Sequence, residues 1–328
     1  MTVEEVTDRA AWDTQVLALG GHPLQLWGWG EVKSAGAWTA RRILVRADGA
    51  VVGAAQVLVR ALPWPLRRLS YVPRGPVLAE GADRDAVTGA VVDWTARHVG
   101  GAAITLEPQW PAGTTLAVPG ARAAAQRVLV PDTLVLDLTR TPDELQQAMS
   151  KTTRKQIRRS ARTDLVYREA TDAELPACLD VYHEVASRAG FALHPDEYYL
   201  RVRAELGAEH SPVFAAFDGD RPVALLWLAA SDRTAFELYG GASQEGQELH
   251  ANFSLKWTAI CAMADRGLTE YDMNGLLNDG ISTFKRSFAD HEDHLVGAID
   301  IPFGATYRLW TVAAPAGKRV LRALRGRH

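Results

Sequence analysis

Lysine is scarce in this chain. Six lysines (33, 151, 155, 256, 285 and 318) stand against thirty arginines in 328 residues. Cysteine is scarcer still. Cys178 and Cys261 lie far apart in helix-like segments, which excludes a disulfide framework and a cysteine-built zinc cluster and fits a cytoplasmic chain. Long apolar runs are missing: the longest obvious one, Val223 to Ala230, falls short of the roughly 18 residues of a membrane-spanning helix. The start, Met1-Thr-Val-Glu-Glu-Val-Thr-Asp8, has neither a basic region nor an apolar stretch, so no signal peptide is expected. Global basicity is absent too. With a formal net charge of −3, any contact with nucleic acid must come from a local patch. No Gly-x-Ser-x-Gly, P-loop or dinucleotide fingerprint occurs.

What is present is a sizeable core and a repeat. At 47% hydrophobic, the chain most simply forms two domains. Ile43 to Val59 reads as a hairpin turning at Asp48-Gly49. A Gly/Pro-interrupted strand, Tyr71 to Leu78, follows, then a helix from Ala82 to Val99 and a strand from Ala102 to Pro108. The second half repeats this order. Val213 to Leu228 is a hairpin around Asp218-Gly219, Glu237 to Gly241 replaces the Tyr71 strand, Leu249 to Arg266 is a helix, and Leu268 to Met273 is the next strand. The offset stays at about 165–170 residues (48 to 218, 71 to 239, 101 to 267), which predicts two copies of one mixed α/β unit.

Tyr271 to Phe288 concentrates the candidate chemistry. A strand end leads into Asn274-Gly275 and Asn278-Asp279-Gly280, residues that tolerate turns and positive φ. Lys285 then stands between Phe284 and Phe288. A strand end, a Gly-rich loop and a cation beside aromatics form a rim for an anionic ligand; the plainer alternative is a solvated loop lysine. Glu107 and Asp272 occupy equivalent strand ends in the two copies, where each could orient an amine, accept its proton or serve structure.

A helical segment lies between the copies. Thr141-Pro-Asp-Glu144 is a capping box with Pro at the first helical position, and the helix is expected to continue, with interruptions, to about Arg162. It carries Lys151, Arg154, Lys155, Arg158, Arg159 and Arg162, with positions 151, 155, 158, 159 and 162 on one face. Such a stripe attracts phosphates, or is simply a solvated face. The tail residues Lys318, Arg319, Arg322, Arg325 and Arg327 are basic as well. His291-Glu-Asp-His294 lacks further ligands at suitable spacing, so a solvated loop is expected there rather than a metal site.

Several stretches together carry a resemblance. They are Gln25-Leu-Trp-Gly-Trp-Gly-Glu-Val-Lys33, Tyr71-Val-Pro-Arg-Gly-Pro76, Thr133 to Leu138 followed by the basic helix, Arg188-Ala-Gly-Phe191, Leu238-Tyr-Gly-Gly-Ala-Ser243, Tyr271-Asp-Met-Asn-Gly275 and Thr283-Phe-Lys-Arg-Ser-Phe288. In this order they resemble the Fem family of tRNA-dependent aminoacyltransferases, which extend the peptidoglycan stem peptide. The resemblance implies an α/β protein of two tandem GNAT-like domains, in the short form without a coiled-coil arm. It places the first domain at 1–140 plus 300–328 and the second, with the basic helix, at 141–299.

The resemblance also implies roles. Lys33, Arg188 and Tyr239, with Trp38 and Arg74, would hold the acceptor; Phe284 and Lys285 would meet the aminoacyl-tRNA end; Lys151, Arg154, Lys155, Arg158, Arg159 and Arg162 would hold tRNA phosphates. Proton removal falls to Glu107, Asp272 or the substrate itself. The implied reaction is aminolysis of an activated ester, which requires no metal or other cofactor. The implied partners are aminoacyl-tRNA and a peptidoglycan precursor, UDP-MurNAc-pentapeptide or lipid II, the latter bringing the protein to the membrane surface. Ala189, where the family often has an acid, and Ala192 after Phe191 depart from its pattern and leave the acceptor open, a peptide-like secondary metabolite included. An acyl-CoA N-acyltransferase would share the fold but needs a Gly-rich pyrophosphate turn, which the sequence lacks. A non-catalytic tRNA- or muropeptide-binding module would bind without forming a peptide bond.

Overall fold

The computed structural model describes residues 1–124, 126–277 and 279–311. Asn278 and the basic tail residues Lys318, Arg319, Arg322, Arg325 and Arg327 lie outside the described residues. Asp48 and Gly49 both adopt positive φ, +49° and +83°. That is the conformation a two-residue hairpin loop needs, and Asp-Gly supplies it at little steric cost. The loop joins the strands Trp38–Ala47 and Ala50–Ala61. The second hairpin, Val213–Asp218 with Arg221–Ala230, turns at Gly219-Asp220, with Gly219 at φ +59°.

The chain divides into two units, Met1–Pro131 with the described residues from His294 onward, and Asp132–Asp293. Each is a GNAT-like α/β domain built on one sheet plan. In the first unit the order is Thr2–Glu5, Trp38–Ala47, Ala50–Ala61, Arg68–Pro73, Ala103–Glu107, Ile299–Pro302 and Arg122–Ala123. In the second it is Val166–Glu169, Val213–Asp218, Arg221–Ala230, Thr234–Ala242, Glu270–Asp272 and Val135–Asp137. Direction matches as well as order: four antiparallel strands, one parallel neighbour across a helix, then an antiparallel strand, to which the first sheet adds Arg122–Ala123. The duplication expected from spacing is therefore present. In both sheets the strand after the parallel pair comes from a distant segment. Val135–Asp137 pairs with Glu270–Asp272, so the chain enters the second unit upstream of the capping box at Thr141.

Each unit has its own core. Ile43, Val57, Val72, Val91, Ile104 and Ile301 anchor the first. Leu136, Phe214, Leu226, Leu255, Ile260, Tyr271 and Phe288 anchor the second. The longest helices run 15 residues, and among the described residues none is long and apolar enough to cross a membrane.

The segment between the copies forms two helices rather than one. In Pro142–Ala148 the Thr141 hydroxyl accepts from Glu144 N at 3.3 Å and the Glu144 carboxylate accepts from Thr141 N at 2.8 Å, the reciprocal cap expected from the sequence. Met149 is extended, and Ser150 caps a new helix, Lys151–Ser160. Arg162 falls beyond that helix, because the chain leaves helical geometry after Ala161. Lys151, Lys155, Arg158, Arg159 and Arg162 are exposed, whereas Arg154 is half-buried. Arg154 Nη1 donates to the carbonyls of Gln146, Gln147 and Met149 at 2.9–3.1 Å, closing the C-terminal end of the preceding helix. Arg154→Ala is therefore expected to lower stability by about 1–3 kcal/mol, the scale of hydrogen bonds to a charged group. Urea unfolding would read this; an unchanged midpoint would make the three bonds energetically idle.

Candidate functional site

The two parallel strands of the second unit pair only briefly. Their register runs from Thr234 opposite Glu270 to Phe236 opposite Asp272. Beyond that point Thr234–Ala242 continues, with a bulge at Leu238, while the other chain turns away at Asn274, which takes a left-handed φ of +57°. Asn tolerates that conformation because its short amide bonds locally. Here Asn274 Nδ2 donates to the Glu237 carbonyl at 3.0 Å, tying the departing loop back to the strand. Asp279 then accepts from Ser282 N at 2.7 Å and starts a helix, Gly280–Arg286, which carries Phe284 and Lys285.

The gap left by this divergence is a cavity of about 480 Å³. Its lining includes Arg188, Tyr239, Phe284 and Lys285, so four sequence-derived candidates meet there, all within the second unit. Lys285 is part-buried rather than a solvated loop lysine. Its Nζ donates to the carbonyls of Asn274 and Gly275 at 3.0 and 3.2 Å. An ammonium has three donors, so one is left for a ligand. Phe284 packs edge-on against Phe253 and Phe288, with ring centroids 5.0 and 5.1 Å away. Arg188 is pinned by Glu184 at 3.1 Å and by the Ala242 carbonyl at 2.7 Å. Its helix, Leu175–Ala189, approaches the strand closely because position 241 has no side chain: a Cβ there would stand 2.8 Å from the Val185 methyl. Tyr239 stacks edge-on with Tyr199 at 5.0 Å and lies 5.9 Å from Tyr182. Burial, and next the Tyr198 hydroxyl, hold the Tyr239 proton on well above the ordinary tyrosine range, so it enters the site as a neutral hydroxyl.

The other candidates are elsewhere. Lys33, Trp38, Arg74 and Glu107 belong to the first unit and are not part of this lining. Lys33 Nζ lies 4.2 Å from the Trp29 ring centre, the Trp38 ring is 6.0 Å from Tyr71, and Arg74 is buried with φ +50°. Glu107 is buried and accepts from Tyr71 Oη at 2.5 Å, Val128 N at 2.7 Å and Leu129 N at 3.0 Å. Asp272, at the matching position of the second sheet, is fully buried and accepts from Thr133 Oγ1 at 2.5 Å and Asn274 N at 2.7 Å. Each carboxylate thus anchors a segment that crosses its strand end. His291 Nε2 lies 3.1 Å from the Val135 carbonyl, and among the described residues no group of three or more His, Cys, Asp or Glu is placed to hold a metal ion.

Two lining residues escaped the sequence reading. Lys256 and Glu237 are buried at 3% and 6% exposure, with Lys256 Nζ 2.7 and 3.0 Å from the two carboxylate oxygens. The available signal was a single charge inside an apolar run in each case: Leu255 and Trp257 flank the lysine, Phe236 and Leu238 the glutamate. A charge in such a setting needs a partner.

Comparison with known proteins agrees with this architecture. Residues 147–286 match the model of an acetyltransferase (GNAT) domain. A UDP-N-acetylmuramoylpentapeptide-lysine N(6)-alanyltransferase of Weissella viridescens is 27% identical over 305 residues, covering 85% of this chain and 89% of that protein. A lipid II:glycine glycyltransferase of Staphylococcus aureus is 22% identical, covering 85% and 88%. The crystal structure of FemX superposes with a TM-score of 0.84 at 18% identity, covering 95% of this chain and all of that one, which shows a shared fold. Along most of its length the chain is thus similar in sequence to these two transferases and in fold to FemX.

Proposed function

We propose that the protein is a cytoplasmic aminoacyltransferase that moves an amino acid from aminoacyl-tRNA to a primary amine of a peptidoglycan precursor stem peptide, carried on a nucleotide or a lipid. The observation that carries this reading is the gathering of Lys285, Phe284, Arg188 and Tyr239 around one cavity. It is supported by relatives named for alanyl transfer to UDP-N-acetylmuramoylpentapeptide-lysine and glycyl transfer involving lipid II. The amine attacks an ester that is already activated. The protein must align the two groups, remove a proton and stabilise the oxyanion. Lys285 offers a donor to the developing negative charge. Phe284 stacks on or walls in the terminal adenine. Arg188 and Tyr239 hold the acceptor, with Lys33, Trp38 and Arg74 of the first unit as further binding candidates.

The exposed cations of Lys151–Ser160 hold tRNA phosphates in this reading. Replacing Lys155, Arg158 and Arg159 by Ala should reduce the slope of log affinity against log salt by about 2–3, because up to three fewer counterions are released. Arg154 is left out because it holds the preceding helix. An unchanged slope in filter binding would make the stripe a solvated face.

The GNAT match favours a second reading, N-acyl transfer from an acyl-CoA. One experiment tests both. The protein is incubated with candidate amine acceptors and either a mixed charged-tRNA pool or acyl-CoA, and product masses are read. A product gaining an amino-acid residue supports the proposal; products from acyl-CoA alone would replace it.

A further inference from the structure

Burying an ion pair rarely stabilises a protein more than apolar residues of the same size would. A buried pair that also faces a cavity is therefore a candidate for chemistry. Glu237 and Lys256 are such a pair. Three cationic side chains, Arg188, Lys256 and Lys285, line the cavity, and among the described lining residues Glu237 is the one carboxylate. An ammonium admitted to this space meets one oxygen acid. Glu107 lies in the first unit, and Asp272, which is outside the lining, faces Thr133 and the Asn274 amide.

The Glu237 carboxylate is also oriented. Oε1 accepts from Lys256 Nζ at 2.7 Å and from Tyr271 Oη at 3.0 Å, and Oε2 accepts from Lys256 Nζ at 3.0 Å. A carboxylate offers about four lone-pair positions, so one on Oε2 is left for a ligand. Burial, followed by the Glu237 charge, pushes the Tyr271 hydroxyl well up, which keeps it a donor. The charged and titratable groups set around Glu237 are thus Lys256 from the helix Ala251–Asp265, Tyr271 from the neighbouring strand, and Lys285, which acts on Lys256.

The geometry points to Glu237 as the group that takes a proton from the acceptor's ammonium, with Lys256 and Tyr271 holding its carboxylate in position. This rests on the aminolysis reading. An ammonium cannot attack, since its lone pair is bound to the proton. One proton passes to Glu237 Oε2 and frees the amine. The amine lone pair forms the C–N bond at the ester carbonyl, and the C–O bond to the ribose breaks. The second nitrogen proton leaves with the ribose oxygen as a hydroxyl group, and the proton on Glu237 passes to solvent.

The test compares two acceptors, one with its ordinary amine and one with a hydrazide in its place. A hydrazide is neutral at pH 7 and skips the first proton transfer. The variants are Glu237→Gln and the double variant Glu237→Gln/Lys256→Met, which leaves no orphaned ammonium if the single variant folds poorly. Transfer to the amine should fall about 100-fold at pH 7, the lower end for losing a general base. Transfer to the hydrazide should change by only a few-fold, and raising the pH to 9 should restore more of the amine rate in the variant than in the parent. Equal losses with both nucleophiles, or an unchanged amine rate, would overturn the assignment while leaving aminoacyl transfer standing. A parent protein that transfers to neither nucleophile overturns the functional reading and this assignment with it.

Discussion

Lys285→Ala is expected to lower aminoacyl transfer by roughly 100-fold or more, the scale for losing one donor at a developing oxyanion. The lysine is held where such a donor is useful. It sits in the last turn of Gly280–Arg286, and the Asn274 and Gly275 carbonyls fix its ammonium on the cavity wall. Acceptor binding should change little, because Arg188 and Tyr239 remain in place. Lys285→Arg should recover only part of the loss: the charge persists, but a planar fork replaces a compact ammonium that two carbonyls already cradle. Single-turnover rates and acceptor titrations separate the two effects. A near-normal rate in the alanine variant would reduce Lys285 to a brace for the Asn274 loop.

Lys256→Met should destabilise the protein by about 3–5 kcal/mol, because it leaves the Glu237 carboxylate buried without its counter-charge. Replacing both residues with apolar ones, Glu237→Leu and Lys256→Met, should return most of that stability. Two desolvated charges are then gone, at the cost of the acceptor that Glu237 offered to the Tyr271 hydroxyl. Phe284 and Phe288, whose ring centres lie 5.1 and 5.5 Å from Lys256 Nζ, would gain an apolar neighbour in its place. Urea unfolding of the two single variants and the double variant forms a cycle that isolates the pair. A single-variant loss below about 1 kcal/mol, the usual range of exposed pairs, would show that water reaches it. The stability cycle is independent of the transfer assay, so the structural and chemical roles of the pair are measured separately.

The local devices of this fold were legible in the residues. Asp48-Gly49 can form the hairpin loop because both positions take positive φ cheaply, and Thr141 with Glu144 caps its helix through contacts three residues apart. The repeat was legible for the same reason: each copy rewrites the same local signals at a nearly constant offset. The Gly280–Arg286 helix was harder to see, because its seven residues follow turn formers and depend on one cap from Asp279. Only the tertiary structure decided the edge strands, since Val135–Asp137 meets Glu270–Asp272 across 132 intervening residues and carries no signal of its partner. The same holds for the site. Lys256 and Glu237 each look like an isolated charge in an apolar run until the helix packs on the strand and desolvates both, and Glu107 and Asp272 look like free carboxylates until distant amides and hydroxyls close over them. Hydrogen-bond and charge pairing across a sheet depends on distances in space. A single sequence records the groups that need partners but not which partners folding will bring within 3 Å.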